Sequence, residues 1–135
     1  MRKALNRLSV GFSGGILGAL PNSLVVWLSG MAGITTSLGA QIAPDLTAGW
    51  LYPRLVWGGL WGLLFALPWR RRSWLLRGFV YSLAPTAAQL LFFFPVAGQG
   101  ILGLKLGPTV PLFVVAFNAI WGIIAGWWAV NATSR

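Results

Sequence analysis

Apolar positions along the chain fall into four runs separated by breaks rich in Gly, Pro and Arg. The runs cover about 8–28, 51–67, 74–96 and 110–130. A helix needs roughly 17–25 apolar residues to cross the ~30 Å hydrocarbon core, so each run predicts a transmembrane span, the second at the lower limit of length. The pattern predicts an all-α integral membrane protein, a four-transmembrane-helix bundle forming one domain over 1–135. Pro21 falls inside the first run and should kink it, leaving Asn22 beside a freed backbone carbonyl. Pro53 suits the first turn of the second span, where a missing N–H costs nothing. Pro85 lies mid-way along the third, with Gln89 one turn later.

The breaks carry their own information. Residues 29–50 mix Gly30, Gly33, Thr35, Thr36 and Ser37 with Asp45 and Thr47. That is too polar to span and too apolar for a freely solvated loop, and predicts an interfacial or partly re-entrant segment. Trp50 and Tyr52 mark the return to the interface. A basic lead before an apolar run is also the outline of a signal peptide. This run exceeds the roughly 7–15 residues of an h-region and no small-x-small site follows it, so the first span is expected to stay uncleaved.

Within the spans, Gly11, Gly14, Gly15 and Gly18 give two overlapping Gly-x-x-x-Gly spacings, and Gly58/Gly62 and Gly122/Gly126 give two more. Such spacings let helix backbones approach closely. Trp57, Trp61 and Trp121 are expected to pack over glycines.

A longer periodicity overlies these features. Leu38-Gly39-Ala40-Gln41-Ile42-Ala43-Pro44 and Leu102-Gly103-Leu104-Lys105-Leu106-Gly107-Pro108 follow one pattern 64 positions apart, and the same offset places Pro21 on Pro85. Downstream, Leu60-Trp61-Gly62-Leu63-Leu64 matches Ile120-Trp121-Gly122-Ile123-Ile124 at an offset of 60. This predicts a parallel 2+2 internal repeat, with halves at about 8–68 and 74–130, related by an axis along the membrane normal.

Composition sharpens the membrane reading: 8% of residues are charged, against about 25% in soluble domains. Ten basic residues face a single acid, Asp45, for a net charge of +9. Four spans put Arg2, Lys3, Arg7, Arg70, Arg71, Arg72, Arg77 and Arg135 on one side, and Asp45, Arg54 and Lys105 on the other. The positive-inside rule then makes both termini cytoplasmic, with Arg70, Arg71, Arg72 and Arg77 as the main topology determinants. Nucleic acid as a partner would require basic residues interleaved with exposed aromatics on a soluble face, and no such face is visible. The expected partners are the lipid bilayer and, through the glycine faces, further copies of the chain or a larger membrane complex.

The chemistry available is narrow. There is no Cys and no His. A catalytic triad, a carboxylate dyad and a transition-metal site are therefore excluded, and no enzymatic activity or cofactor is expected. The glycines from Gly11 to Gly18 lack the Lys-Ser/Thr ending of a phosphate loop. Lys105, the one lysine beyond the N-terminus, lies outside the spans and is badly placed for a Schiff base. Two polar sets stand out. Asp45 and Arg54 are nine residues apart on the outer side, placed for an ion pair that either pins the second span or forms an anion site at an outer mouth. Asn22, Gln89 and Asn118 lie deepest in the spans, as interhelical contacts or as a polar lining.

In general form over its whole length the chain resembles the small four-span bacterial inner-membrane proteins of uncharacterised activity. The resemblance implies placement in the inner membrane and no mechanism. Thr35-Thr36-Ser37 is similar to a fragment of the Thr-Thr-Phe-Ser element of small fluoride channels, but here it follows the first span. Small multidrug transporters need a carboxylate in their first span, and none is present. The expectation is a non-enzymatic helical bundle acting as a self-associating or accessory membrane subunit. The alternative is a small channel or transporter for a small solute or anion, with a path between the two halves.

Overall fold

The first apolar run folds as one uninterrupted helix, α1 (Arg2–Met31), which continues through Pro21. A computed structural model describes residues 1–69 and 71–133 of the chain. Arg70 and Arg135, two of the expected cytoplasmic charges, lie outside the described residues. All regular structure among the described residues is helical.

Short local signals decide where each helix begins and ends. Gly33, at φ 76°, stops α1, and Gly98, at φ 79°, stops the third apolar run in the same left-handed conformation. Both follow an alanine whose N–H closes the last turn, Ala32 onto Leu28 (2.9 Å) and Ala97 onto Phe93 (3.0 Å). A residue without a Cβ adopts this conformation freely, which makes Gly the usual stop. After the short α2 (Ile34–Ser37) the chain runs irregularly to Thr47, whose hydroxyl accepts the Trp50 N–H (3.1 Å) and starts α3 (Ala48–Gly62). Pro53 therefore sits inside α3 rather than in its first turn, because the Thr47 cap begins the helix earlier than the apolar pattern suggests. A 3-10 turn, Leu63–Ala66, ends this arm. Ser73 caps α4 (Trp74–Ala88) by accepting the Leu76 N–H (3.1 Å). Beyond Pro85 the helix widens into a π-helical segment, Gln89–Phe93, and finishes as α5 (Phe94–Val96). A 3-10 segment, Ile101–Leu106, leads to the last helix, α6 (Val110–Thr133).

Three helices are long and apolar enough to cross a membrane: Arg2–Met31, Trp74–Val96 and Val110–Thr133. At 15 residues α3 falls short of that length.

The four arms lie in the order α3, α1, α6, α4, each antiparallel to its neighbour. Glycine sets the spacing. A Cβ on Gly15 would strike the Gly58 carbonyl, and one on Gly78 would strike the Gly122 carbonyl. The outer members, α3 and α4, are bridged by aromatic rings instead. Trp57 meets Phe93 edge-on at 5.6 Å, and Phe65 meets Tyr81 at 5.1 Å. One apolar core forms around Phe65, Trp121 and Ala125, and a second around Ala40, Leu90, Val110 and Val114.

At one end of the bundle the two Leu-Gly…Pro elements meet. The Gln41 N–H donates to the Leu106 carbonyl (2.7 Å), and the Thr109 hydroxyl donates to the Leu38 carbonyl (2.8 Å). A Cβ on Gly107 would collide with the Gly39 carbonyl. Their like sequences take unlike backbones, since 38–44 has no regular structure beyond a turn whereas Leu102 and Gly103 hold φ of 61° and 68° within a 3-10 segment. The opposite end gathers Arg2, Lys3, Arg7, Arg71, Arg72 and Arg77.

Candidate functional site

Because α3 and α4 stand at the two ends of the row, the space between them is not filled by close backbone packing. A cleft of about 230 Å³ opens there, with Asn22, Arg54, Trp57, Gln89, Asn118 and Trp121 among its walls. A second hollow of about 350 Å³ extends toward the paired loops, bounded there by Gln41 and Trp50. The two share Arg54, Gln89 and Asn118. Asn22, Gln89 and Asn118, from three separate helical arms, thus border two adjoining hollows together with Arg54 of α3.

Arg54 lines both of them. Nε donates to Ser23 Oγ (2.9 Å) and one Nη donates to Asn22 Oδ1 (2.9 Å). The guanidinium lies 4.7 Å from the ring centroid of Trp50, one helical turn earlier on the same face of α3. Asn22 is buried and uses both ends of its amide, accepting from Arg54 and donating to the Phe117 carbonyl of α6. One side chain therefore ties α1 to both neighbours. The role expected from Pro21, a local carbonyl for Asn22, is filled by a different helix.

The expected ion pair does not form. Asp45 is exposed in the irregular segment before α3, while Arg54 projects inward onto neutral oxygens of α1. Nine residues of separation fixed only how far apart the two charges start, not which way either would turn. Arg54 has no carboxylate partner, since the chain's one carboxylate side chain lies elsewhere. Two of the five N–H donors of a guanidinium are engaged by these bonds.

Across the cleft, Asn118 donates to Thr86 Oγ1 (3.0 Å), and Thr86 in turn donates to the Ser82 carbonyl (2.8 Å). Gln89 opens the π-helical segment and lines both hollows. Single-turn π segments recur at functional sites because they redirect side chains without ending a helix. Trp121, 4% exposed, donates its indole N–H to the Gly15 carbonyl (3.0 Å) and forms the floor.

The remaining predicted residues lie elsewhere. Gly11, Gly14, Gly15, Gly18, Gly58, Gly62, Gly122 and Gly126 are all buried against this chain's own helices or tryptophans. These glycines serve packing within the chain. Trp121 packs over Gly18 and Trp128 over Gly14, whereas Trp57 is half exposed and meets Phe93. Arg71 and Arg72 are exposed at the basic end. Arg77 is more than a topology charge, because it donates to the Phe65 and Leu67 carbonyls and so holds the 3-10 turn after α3.

Sequence reasoning missed Ser23, Thr86 and Trp50 as parts of the site. A signal existed for Ser23. An Arg in an apolar arm needs oxygen acceptors from another arm, and Asn22-Ser23 is the most polar pair deep in the first span. What the cleft supplies is fixed positive charge, amide groups and the Ser23 and Thr86 hydroxyls. A guanidinium with donors to spare is able to hold an anion by charge-assisted hydrogen bonds.

No protein-family model, curated protein or solved structure matches the chain.

Proposed function

We propose that this chain is a small channel or transporter for a small anion in the bacterial inner membrane. In this reading it crosses the bilayer four times, keeps both termini cytoplasmic and has no enzymatic activity. The observation that carries the reading is Arg54, a cation inside a helical bundle whose partners are all neutral and which borders both hollows at once. A charge inside the bilayer is costly, up to about 2.5–3.5 kcal/mol at a helix centre by insertion scales, and such residues often mark substrate paths.

Length supports the fourth crossing. The arm of α3 extends about 22 Å at ~1.5 Å per residue. Its 3-10 turn adds about 8 Å at ~2.0 Å per residue, which together match the ~30 Å core. Charge supports the orientation, because six described cations gather at the end holding the N-terminus. The helix pairs α1–α3 and α4–α6 are read as a duplicated two-helix unit. Each is antiparallel, each closes on a glycine–glycine contact, and each first helix stops at an Ala-Gly turn.

The test is flux in proteoliposomes loaded in turn with chloride, nitrate, formate and phosphate. Wild-type protein should move at least one of them, and Arg54→Gln should slow it tenfold or more while eluting as the same folded species. Absence of flux for the whole series, or equal flux through Arg54→Gln, would sink the reading.

A further inference from the structure

We infer that the cleft at the basic end of the bundle, remote from Arg54, binds the phosphate of an anionic phospholipid headgroup. This hollow of about 570 Å³ is walled on one side by Lys3, Asn6 and Arg7 and on the other by Trp69 and Arg77. Lys3, Asn6, Arg7 and Val10 stand at i, i+3, i+4 and i+7, so α1 presents them on a single face. Lys3 and Arg7 are exposed and make no ion pair or side-chain hydrogen bond with a described residue.

The polar groups here are nearly all donors. The Thr133 hydroxyl already donates to the Ala129 carbonyl, and Arg77 is bound to two main-chain carbonyls through one Nη. Among the described residues, the two buried side-chain polar atoms without a hydrogen-bond partner are Trp69 Nε1 and Arg77 Nε. Both belong to walls of this cleft. An ammonium, two guanidiniums and an indole N–H around one hollow, with the chain's single carboxylate side chain at the far end, complement an anion rich in acceptors and poor in donors. A phosphate diester has that character.

A lipid is favoured as the source because the hollow is amphipathic. Its deeper lining is apolar, formed by Val10, Phe65 and Ala129, and Lys3 and Arg7 stand at its rim where α1 also exposes Leu5 and Leu8 outward. A headgroup phosphate with the start of an acyl chain fits both parts, whereas free phosphate uses only the rim.

The inference is tested by native mass spectrometry of protein released from nanodiscs of phosphatidylglycerol, with phosphatidylcholine as the neutral comparison. Wild-type protein should retain phosphatidylglycerol selectively. Direct charge-assisted contacts to the phosphate add to diffuse surface attraction, so Lys3→Ala/Arg7→Ala should lower that retention at least tenfold. The matched pair Arg2→Ala/Arg71→Ala removes equal charge from exposed positions outside the cleft and should change it less than twofold. Equal losses in the two pairs would reduce the effect to diffuse surface charge and overturn the inference. So would equal retention of the two lipids, or displacement of the bound lipid by millimolar inorganic phosphate, which would identify a site for the free ion.

Discussion

In one helix pair, α1 and α3 close where Gly15 meets Gly58 and Gly11 meets Gly62; in the other, α4 and α6 close where Gly78 meets Gly122. The framework is shared, but the polar content is not. Shifted by the 60 positions that align Trp61 with Trp121, Arg54 of α3 corresponds to Val114 of α6. Val114 is 6% exposed and packs with Leu90 and Val110. At the aligned position the second pair thus carries a buried aliphatic side chain where the first carries a cation. Packing does not require a cation there. Arg54, held by Asn22 and Ser23, has no cationic counterpart in the second pair.

The comparison breaks most severely if the shared framework is not what holds the pairs. Gly15→Val and Gly78→Val each place a branched side chain against the main chain of the facing helix, which cannot yield as a flexible side chain would. Each should destabilise the protein by about 3 kcal/mol or more, or prevent folding, measured by titration into SDS from mild detergent. Gly49→Ala is the control, since nothing lies within 4 Å of the added methyl. A mild effect at one of the two positions would mean the pairs are not equivalently built.

The arrangement of the two pairs is only half legible in the sequence. Apolar runs and glycine spacings are local properties, so three long helices and the presence of close-packing faces could be read from the chain. A Gly-x-x-x-Gly face looks the same whether its neighbour is another helix of the chain or a second copy, because periodicity does not name the partner. The site behaved similarly. Asn22, Gln89 and Asn118 were recognisable as polar groups at depth, and burial alone brings such groups toward one another. Rotamer direction is not encoded in spacing, so the inward turn of Arg54 was not legible, nor was the bracket that Arg77 makes to the turn after α3. The π-helical segment at Gln89 depends on how the chain recovers its hydrogen bonds beyond Pro85, which no residue count specifies.

A more selective change makes the first pair resemble the second. Arg54→Val removes the cation, relieving at most about 2.5–3.5 kcal/mol, the cost of a charge at a helix centre. It also strands Asn22 Oδ1 and the Ser23 hydroxyl, at about 1–3 kcal/mol for a buried unsatisfied group. These effects oppose each other. The two stranded groups together cost about 2–6 kcal/mol and on balance exceed the relief, so stability should fall by about 1 kcal/mol and by less than in Gly15→Val, while anion flux falls to the level of empty liposomes. Loss of folded protein comparable to Gly15→Val would show that Arg54 belongs to the framework, and the contrast with Val114 would then carry no functional meaning.

The smallest expected effect discriminates between two electrostatic accounts of the same arginine. If Asp45 neutralised Arg54, Asp45→Asn would leave a cation without its counter-charge and should cost about 3–5 kcal/mol for a buried pair. In the structure Asp45 is exposed and Arg54 is held by Ser23 and Asn22. Asp45→Asn should therefore change stability by less than about 0.5 kcal/mol, as for an ordinary surface substitution. Flux should be retained or rise, because the removed charge is the chain's one anionic side chain and lies before the arm that carries the site. A fall in flux matching that of Arg54→Val would couple the two residues. The first pair would then carry a neutral ion pair instead of a lone cation, and the ground for anion recognition in this cleft would be gone.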